Sequence, residues 1–427
     1  MERTDLRPHY PVIVVGGGQA GLSASMHLSR EGIDHVIFEK HTIAHTWKTQ
    51  RWDAFCLVTP NWQCQLPDFP YPGDEPHGFM VKQDIVAYVE EFARKISAPV
   101  WEGVAVSRVS RGDDVFRVES SVGDVTADAV ILAVSAYHTP NISRIAERLP
   151  DSVTQIHSSQ YRNDKQLPEG AVMVVGSGQS GCQIAEDLHL SGRQVHLVTG
   201  SAPRCPRFYR GRDAVDWLAD LGQYDLPVED HPLKEKVRKN ANHYLTGRDG
   251  GRDIDLRQFA KEGMKLYGRL TEISNDGMHF NDDLVRNLDS ADAVYNGICG
   301  LIDRHIENEG INAPPGKHYE PVWQPDQHLQ LLDPVAEGIT SIVWSTGFRS
   351  DWSFVELPIF DGTGYPAHRR GVTSMKGVYV LGMPWLWTWG SGRFLGVGKD
   401  AEYVVANLAN SLETPMRRAE ARAEIRV

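Results

Sequence analysis

Two six-residue segments of this chain have the residue types and spacing to hold phosphate groups. Gly16-Gly17-Gly18-Gln19-Ala20-Gly21 and Gly176-Ser177-Gly178-Gln179-Ser180-Gly181 both fit the pattern G-x-G-x-x-G, 160 residues apart. In such a loop the first glycine makes a tight turn, the second admits a pyrophosphate, and the third lets helix and strand pack closely. Backbone N–H groups at the start of the helix then face the phosphates.

The pattern needs a buried strand before the loop and a helix after it. Both are present twice. Pro11 to Val15 and Ala171 to Val175 are short β-branched apolar runs that read as buried strands. Helices are expected from about Leu22 to Arg30 and from the second loop to about Leu190, followed by strands at His35 to Glu39 and Gln194 to Thr199.

The two units differ at the end of that last strand. Glu39 lies 23 residues after Gly16, followed by Lys40, and a carboxylate there accepts hydrogen bonds from both ribose hydroxyls. FAD has a free adenosine ribose, so the first loop suits FAD. The same count from Gly176 reaches Thr199, with Ser201, Arg204 and Arg207 close behind and Arg210 and Arg212 beyond. Hydroxyls and arginines bind a 2′-phosphate that an acid would repel. The second loop therefore suits NADPH better than NADH.

The expected fold is α/β: two Rossmann-like dinucleotide-binding domains, the NADPH domain inserted into the FAD domain. The FAD domain is expected at 1–165 and 335–427, and the NADPH domain at 166–334 with a helical insertion at about 212–323. Further elements are a helix from Lys82 to Ile96, strands between Val100 and Val118, and a buried strand at Val130 to Val134. The charged insertion shows helical patterns at Asp213 to Leu221 and Leu233 to Tyr244. Strands at Ile339 to Trp344 and Val378 to Leu381 and a helix at Ala401 to Leu412 complete the reading.

Composition narrows the function. With 427 residues, 41% hydrophobic and 23% charged, this is an ordinary globular composition of two or three domains. A net charge of −12 argues against a nucleic-acid partner, and no apolar run has the length of a membrane span. The polar start, Met1 to Tyr10, resembles no signal or transit peptide, so the expected location is the cytoplasm. The five cysteines form no Cys-x-x-Cys pair and are expected to be buried or incidental thiols. Trp385, Leu386, Trp387 and Trp389 form an aromatic cluster that could wall a substrate pocket or pack as core.

Over nearly its whole length the sequence resembles the class B flavoprotein monooxygenases, which include flavin-containing monooxygenases, YUCCA enzymes and Baeyer–Villiger monooxygenases. Trp47 looks like the family's tryptophan near the flavin. Leu57-Val58-Thr59-Pro60-Asn61 and Leu66-Pro67-Asp68-Phe69-Pro70 are similar to the segment whose asparagine sits over the flavin. His157-x-x-x-Tyr161 matches half of the monooxygenase fingerprint, and Trp344-Ser345-Thr346-Gly347-Phe348 looks like its Ala-Thr-Gly-Tyr stretch. Gly382-Met383-Pro384-Trp385 and Gly396-Val397-Gly398-Lys399-Asp400 resemble a C-terminal flavin-facing segment of bacterial members. The chain departs from the fingerprint at Asp151 and Val153, where the family has Phe and Gly. It departs again at Ala133-Val134-Ser135, where Ala-Thr-Gly is usual. These departures speak against a Baeyer–Villiger reaction in particular.

The resemblance implies a monooxygenase in which NADPH reduces FAD and O₂ adds to the flavin to give a C4a-(hydro)peroxide. A small molecule is then oxygenated by N- or S-oxygenation or a YUCCA-like reaction. Asn61 would hydrogen-bond the peroxide; as residues alone, it could equally close an Asx-turn. His157 could be a general base, but the resemblance implies a domain-junction role, with Tyr161 packed beside it. Thr346 and Gly347 would line the hinge and touch the cofactor. The alternative is an NAD(P)H:acceptor oxidoreductase without oxygen insertion. A homodimer is the default assembly.

Overall fold

The computed structural model describes residues 6–327 and 329–424, so the first five residues of the polar start lie outside the described residues. In chain order the elements that matter here begin with β1 (His9–Val15), α1 (Gln19–Arg30), β2 (His35–Glu39), α2 (Lys82–Lys95) and β3 (Val100–Glu102). Then come β4 (Val106–Arg111), β5 (Phe116–Ser120), β6 (Gly123–Leu132), β7 (Thr154–His157), β8 (Ala171–Val175), α3 (Gln179–Leu190) and β9 (Val195–Val198). The chain continues through α4 (Ala214–Asp220), β10 (Lys265–Tyr267), α5 (Leu284–Glu309), β11 (Ile339–Trp344), β12 (Val378–Val380) and α6 (Val397–Glu424).

The first sheet has ten strands, and its Rossmann-like part is the parallel run β3-β2-β1-β6 with β12 beside β6. β6 is long enough to serve two partners. Its first half pairs antiparallel with β5, and its second half lies between β1 and β12. Both faces of this parallel run are covered, which is why β1 and β2 read as continuous apolar runs. One face packs on α1, α2 and α6 through Leu22, Leu28, Ile85, Phe92, Val404 and Leu408; the other packs on Phe116, Val118 and Leu386.

The second sheet is five-stranded and wholly parallel, in the order β7-β11-β8-β9-β10. Here the expected domain boundary needs correction. β7 and β11 lie outside the expected 166–334 segment, yet both hydrogen-bond into the sheet that carries the second glycine loop. The crossings between sheets therefore fall after β6 and after β11, at Ala133–Ser135 and Ser345–Gly347. The chain returns to the first sheet with β12.

The insertion is also built differently from expectation. The helix at Asp213 to Leu221 is α4, but Leu233 to Tyr244 holds only a short 3-10 turn at Lys234–Lys239. The dominant element is α5, 26 residues long. Its buried face mixes Leu288, Ile298 and Ile302 with Asn287 and Asp292, which blurs the apolar stripe that betrays a helix in sequence. No helix among the described residues is long and apolar enough to cross a membrane.

Candidate active site

The two glycine loops have the same shape. Gly16 and Gly176 adopt φ of +105° and +106°, the left-handed region open mainly to glycine. A Cβ on either would stand 2.6 Å from a backbone oxygen, of Ala133 in one case and Ser345 in the other. A Cβ on Gly21 would lie 1.9 Å from the Gly16 oxygen, and one on Gly181 1.8 Å from the Gly176 oxygen. Gly18 and Gly178 are the opposite: a Cβ there would meet no protein atom within 4 Å. Each is also the N-cap of its helix and offers no side chain to the helix N–H groups. Those N–H groups, beginning with the turn of Gln19, Ala20 and Gly21 or of Gln179, Ser180 and Gly181, lack partners within the helix. Both loops are thus cradles for an anion that comes close to backbone, as a dinucleotide pyrophosphate does.

The ends of the second strands differ as their residues require. The Glu39 carboxylate accepts from the N–H of Gly17 (2.7 Å) and of His41 (2.8 Å), which holds it beside the first loop. Gly17 has to be glycine, since a Cβ there would press to 2.9 Å on Glu39. In the second unit the polarity is reversed. The Ser177 hydroxyl accepts from the Gly200 N–H at 2.9 Å, and the Thr199 hydroxyl donates to the Tyr267 carbonyl at 2.7 Å. Lys40, Ser180 and Ser201 are exposed at their respective loop mouths.

Arg204 does not join them, and this corrects the phosphate role expected for it. It is buried beneath the insertion, paired with Asp292 at 2.9 Å and sandwiched over the rings of Tyr295 and Tyr319. Arg207 is fully buried against Asp213, and Arg210 and Arg212 pair with Asp303 and Asp220. A paired carboxylate offsets the cost of burying the Arg204 charge, and folding brings Asp292 to it from 88 residues away.

His157 closes β7 at the junction of the two sheets. Its Nδ1 accepts from the Ser159 N–H (3.2 Å), which leaves Nε2–H to donate to the Gly347 carbonyl (2.9 Å). The ring is fully buried, edge-on to Phe348, and burial lowers its pKa below the usual histidine value. Both nitrogens are occupied, so the candidate role of general base is replaced by a clasp on the Thr346-Gly347 crossing. Thr346 is held in turn by the Asn141 carbonyl and Nδ2. Tyr161 lies apart from His157 in function, donating to Asp187 on α3 at 2.7 Å.

Asn61 is likewise engaged by the backbone. Its Oδ1 accepts from the Met80 N–H (2.7 Å) and its Nδ2 donates to the Glu75 carbonyl (3.0 Å). These two bonds fasten the loop and use one of its two N–H donors and one of its two acceptor sites. Two residues on, Gln63 is buried with neither amide atom partnered among the described residues. A buried amide with no protein partner is free to hydrogen-bond water or a ligand. The sequence hint was there, a second carboxamide in the same motif, but only the fold shows which of the two is free.

Trp47 stacks on Phe394 (5.8 Å, 21°), and Gln19 of the first loop donates to the Gly392 carbonyl at 3.1 Å. These contacts pin the aromatic segment before α6 to the first cradle. The aromatic cluster is mixed in role: Leu386 is core, while Trp389 meets Tyr224 of the insertion at 4.5 Å.

A family model described as pyridine nucleotide-disulphide oxidoreductase matches residues 13–212. The CzcO-like oxidoreductase of Geobacillus kaustophilus is 30% identical over 403 residues, 93% of this chain and 98% of that protein. The probable indole-3-pyruvate monooxygenase YUCCA10 of Arabidopsis thaliana is 31% identical over 370 residues, 77% of this chain and 93% of its own length. The chain belongs to the class B flavoprotein monooxygenases. The fold agrees: a flavin-containing monooxygenase from Stenotrophomonas maltophilia superposes with a TM-score of 0.63 at 20% identity, covering 95% of this chain and 99% of that one.

As a member of this group the protein is a flavin-dependent oxidoreductase. The twin cradles, each open at its middle glycine, fit two dinucleotides.

Proposed function

We propose that the Gly16 cradle holds FAD and the Gly176 cradle holds NADP(H). In this reading the enzyme inserts one atom of O₂ into a small organic molecule, by N- or S-oxygenation or by a reaction like that of indole-3-pyruvate monooxygenases. Bound flavin, reduced by the nicotinamide, supplies the oxygen chemistry. The polypeptide's share is to hold both cofactors, keep water out and position the substrate.

The observation that carries this reading is the aromatic wall locked to the first cradle: Trp47 stacked on Phe394, with Gly392 tied to Gln19. It gives the flavin end of that cradle a dry flank. Glu39 selects the ribose of FAD, and Gln63 offers the unpaired amide that Asn61 does not. His157 fastens the crossing between the two sheets at Gly347. The reaction is placed in the cytoplasm, with a homodimer as the default assembly.

A second reading, an NAD(P)H:acceptor oxidoreductase, draws on the description of the matching family model. The cysteines oppose its disulfide version. All five are free and buried, and burial raises Cys56 to about 11 and Cys64, Cys205 and Cys299 to about 12. A buried thiol with a raised pKa has little thiolate and exchanges slowly.

Mass spectrometry of products formed under ¹⁸O₂, with NADPH and a panel of amines, sulfides and 2-oxo acids, separates the two readings. A product carrying one ¹⁸O is expected. Stoichiometric H₂O₂ with every compound, alongside fast reduction of a quinone, would sink the monooxygenase assignment.

A further inference from the structure

Most of the buried and half-buried arginines among the described residues face a carboxylate. Arg204, Arg207, Arg210, Arg248, Arg252, Arg257 and Arg370 each have an Asp or Glu within 4.0 Å. Arg162 and Arg193 instead point at three backbone carbonyls each. Arg51 has neither arrangement. Among the described residues its guanidinium has one hydrogen-bond partner, the Gln50 carbonyl at 2.9 Å, and no carboxylate within 4.0 Å.

Its surroundings are aromatic. The Arg51 guanidinium carbon sits 5.0 Å from the Trp47 ring centre and 5.5 Å from that of Phe55. Trp47 stacks on Phe394, and the residue before it, Arg393, is a second cation without a carboxylate among the described residues. Arg393 lies 4.1 Å over Trp389 and donates to the Trp389 carbonyl and to Asn242. Tyr137, half exposed at the crossing between the sheets, is the common electrostatic neighbour of both arginines. Burial lowers the Arg51 pKa to about 10, a shift that an anion bound there would offset. The side chain is nonetheless partly open to solvent, so an anion can reach it.

We propose that Arg51, together with Arg393 across the Trp47–Phe394 stack, forms an anion subsite at the aromatic wall of the first cradle, and that this subsite seats the carboxylate of an apolar organic-acid substrate. The rings of Trp47 and Phe55 hold the guanidinium plane and flank the apolar body, while four unused N–H donors of Arg51 face the acid. This inference rests on the monooxygenase reading above for the word substrate, but the subsite itself is defined by binding and not by turnover.

The test uses the FAD-loaded enzyme and the perturbation of its flavin absorbance on titration with 3-phenylpropionate or its uncharged amide, each with and without NADP⁺. The acid is expected to bind about tenfold or more tightly than the amide, the size of a charge-assisted hydrogen bond. Arg51→Gln should erase that difference, Arg51→Lys should keep part of it, and Arg393→Gln should reduce it, with FAD content and NADP⁺ affinity held within about twofold. Equal affinities for acid and amide in the wild type, including no binding of either, would overturn the proposal. So would an Arg51→Gln variant that loses NADP⁺ instead, since the cation would then belong to a cofactor phosphate. A carboxylate preference that survives while ¹⁸O₂ labelling fails would leave the subsite standing and remove only the monooxygenase reading.

Discussion

Placed side by side, the two cradles share almost every backbone contact. The Gly16 N–H donates to Phe38 and the Gly176 N–H to Val198; the Ala133 N–H donates to Val15 and the Ser345 N–H to Val175. Where they part is in which partner carries the side chain. In the first, glycine at position 17 makes room for an acid at 39; in the second, a serine at 177 reaches a glycine at 200. One backbone conformation thus occurs twice, and the difference lies in a few side-chain atoms at the end of the second strand. The crossings repeat the comparison. Gly347 takes φ +78° with no steric cost, while its counterpart Ser135 holds φ +66° as a non-glycine residue.

The sharpest way to break this comparison is at the third glycines. Gly21→Ala and Gly181→Ala both drive a methyl into a carbonyl oxygen, at 1.9 and 1.8 Å. Overpacking of this kind costs about 3 kcal/mol, or about 100-fold in affinity. Gly21→Ala should purify without flavin, whereas Gly181→Ala should stay yellow and lose reduction by NADPH in stopped-flow absorbance. The opposite pairing of losses would reverse the assignment of the two cradles.

A smaller effect is expected at Gly200. Its Cβ direction is open, and the structure has drawn the neighbouring arginines into ion pairs. Gly200→Arg should therefore raise the NADPH over NADH ratio of kcat/KM by about tenfold, as one charge-assisted hydrogen bond would. An unchanged ratio would place the 2′-phosphate away from the end of β9.

The smallest test concerns the crossings. Ser135→Gly should stabilise the fold by about 0.5–1 kcal/mol and Gly347→Ser should destabilise it by a similar amount, read from urea midpoints. If Ser135→Gly is destabilising, the serine hydroxyl has a role that its backbone conformation does not reveal.

Much of this was legible in one dimension. β2, β8 and β11 fall on the runs His35 to Glu39, Ala171 to Val175 and Ile339 to Trp344, because strands buried on both faces need continuous β-branched residues. The glycine loops and Glu39 were legible because steric exclusion by backbone and the need for an acceptor act on local sequence. α5 was not, because its buried Asn287 and Asp292 find partners from distant segments and so break the apolar stripe. β7 and β11 were assigned to the wrong sheet because pairing between strands separated by about 190 residues leaves no local trace.

The sequence by itself therefore determined the two cradles and the acid that stands at the end of the second strand beside the first. Those properties depend on spacing, on the absence of a Cβ, and on one acid. Tertiary structure alone decided the fate of the polar side chains around them. Arg204 was drawn to Asp292, Asn61 to the 75–80 loop and His157 to Gly347, while among the described residues Arg51 was left without a carboxylate and Gln63 without a partner for its amide. A charge or an amide is read for function only after its neighbours are known, since the cost of burying it is set by what the fold brings within reach.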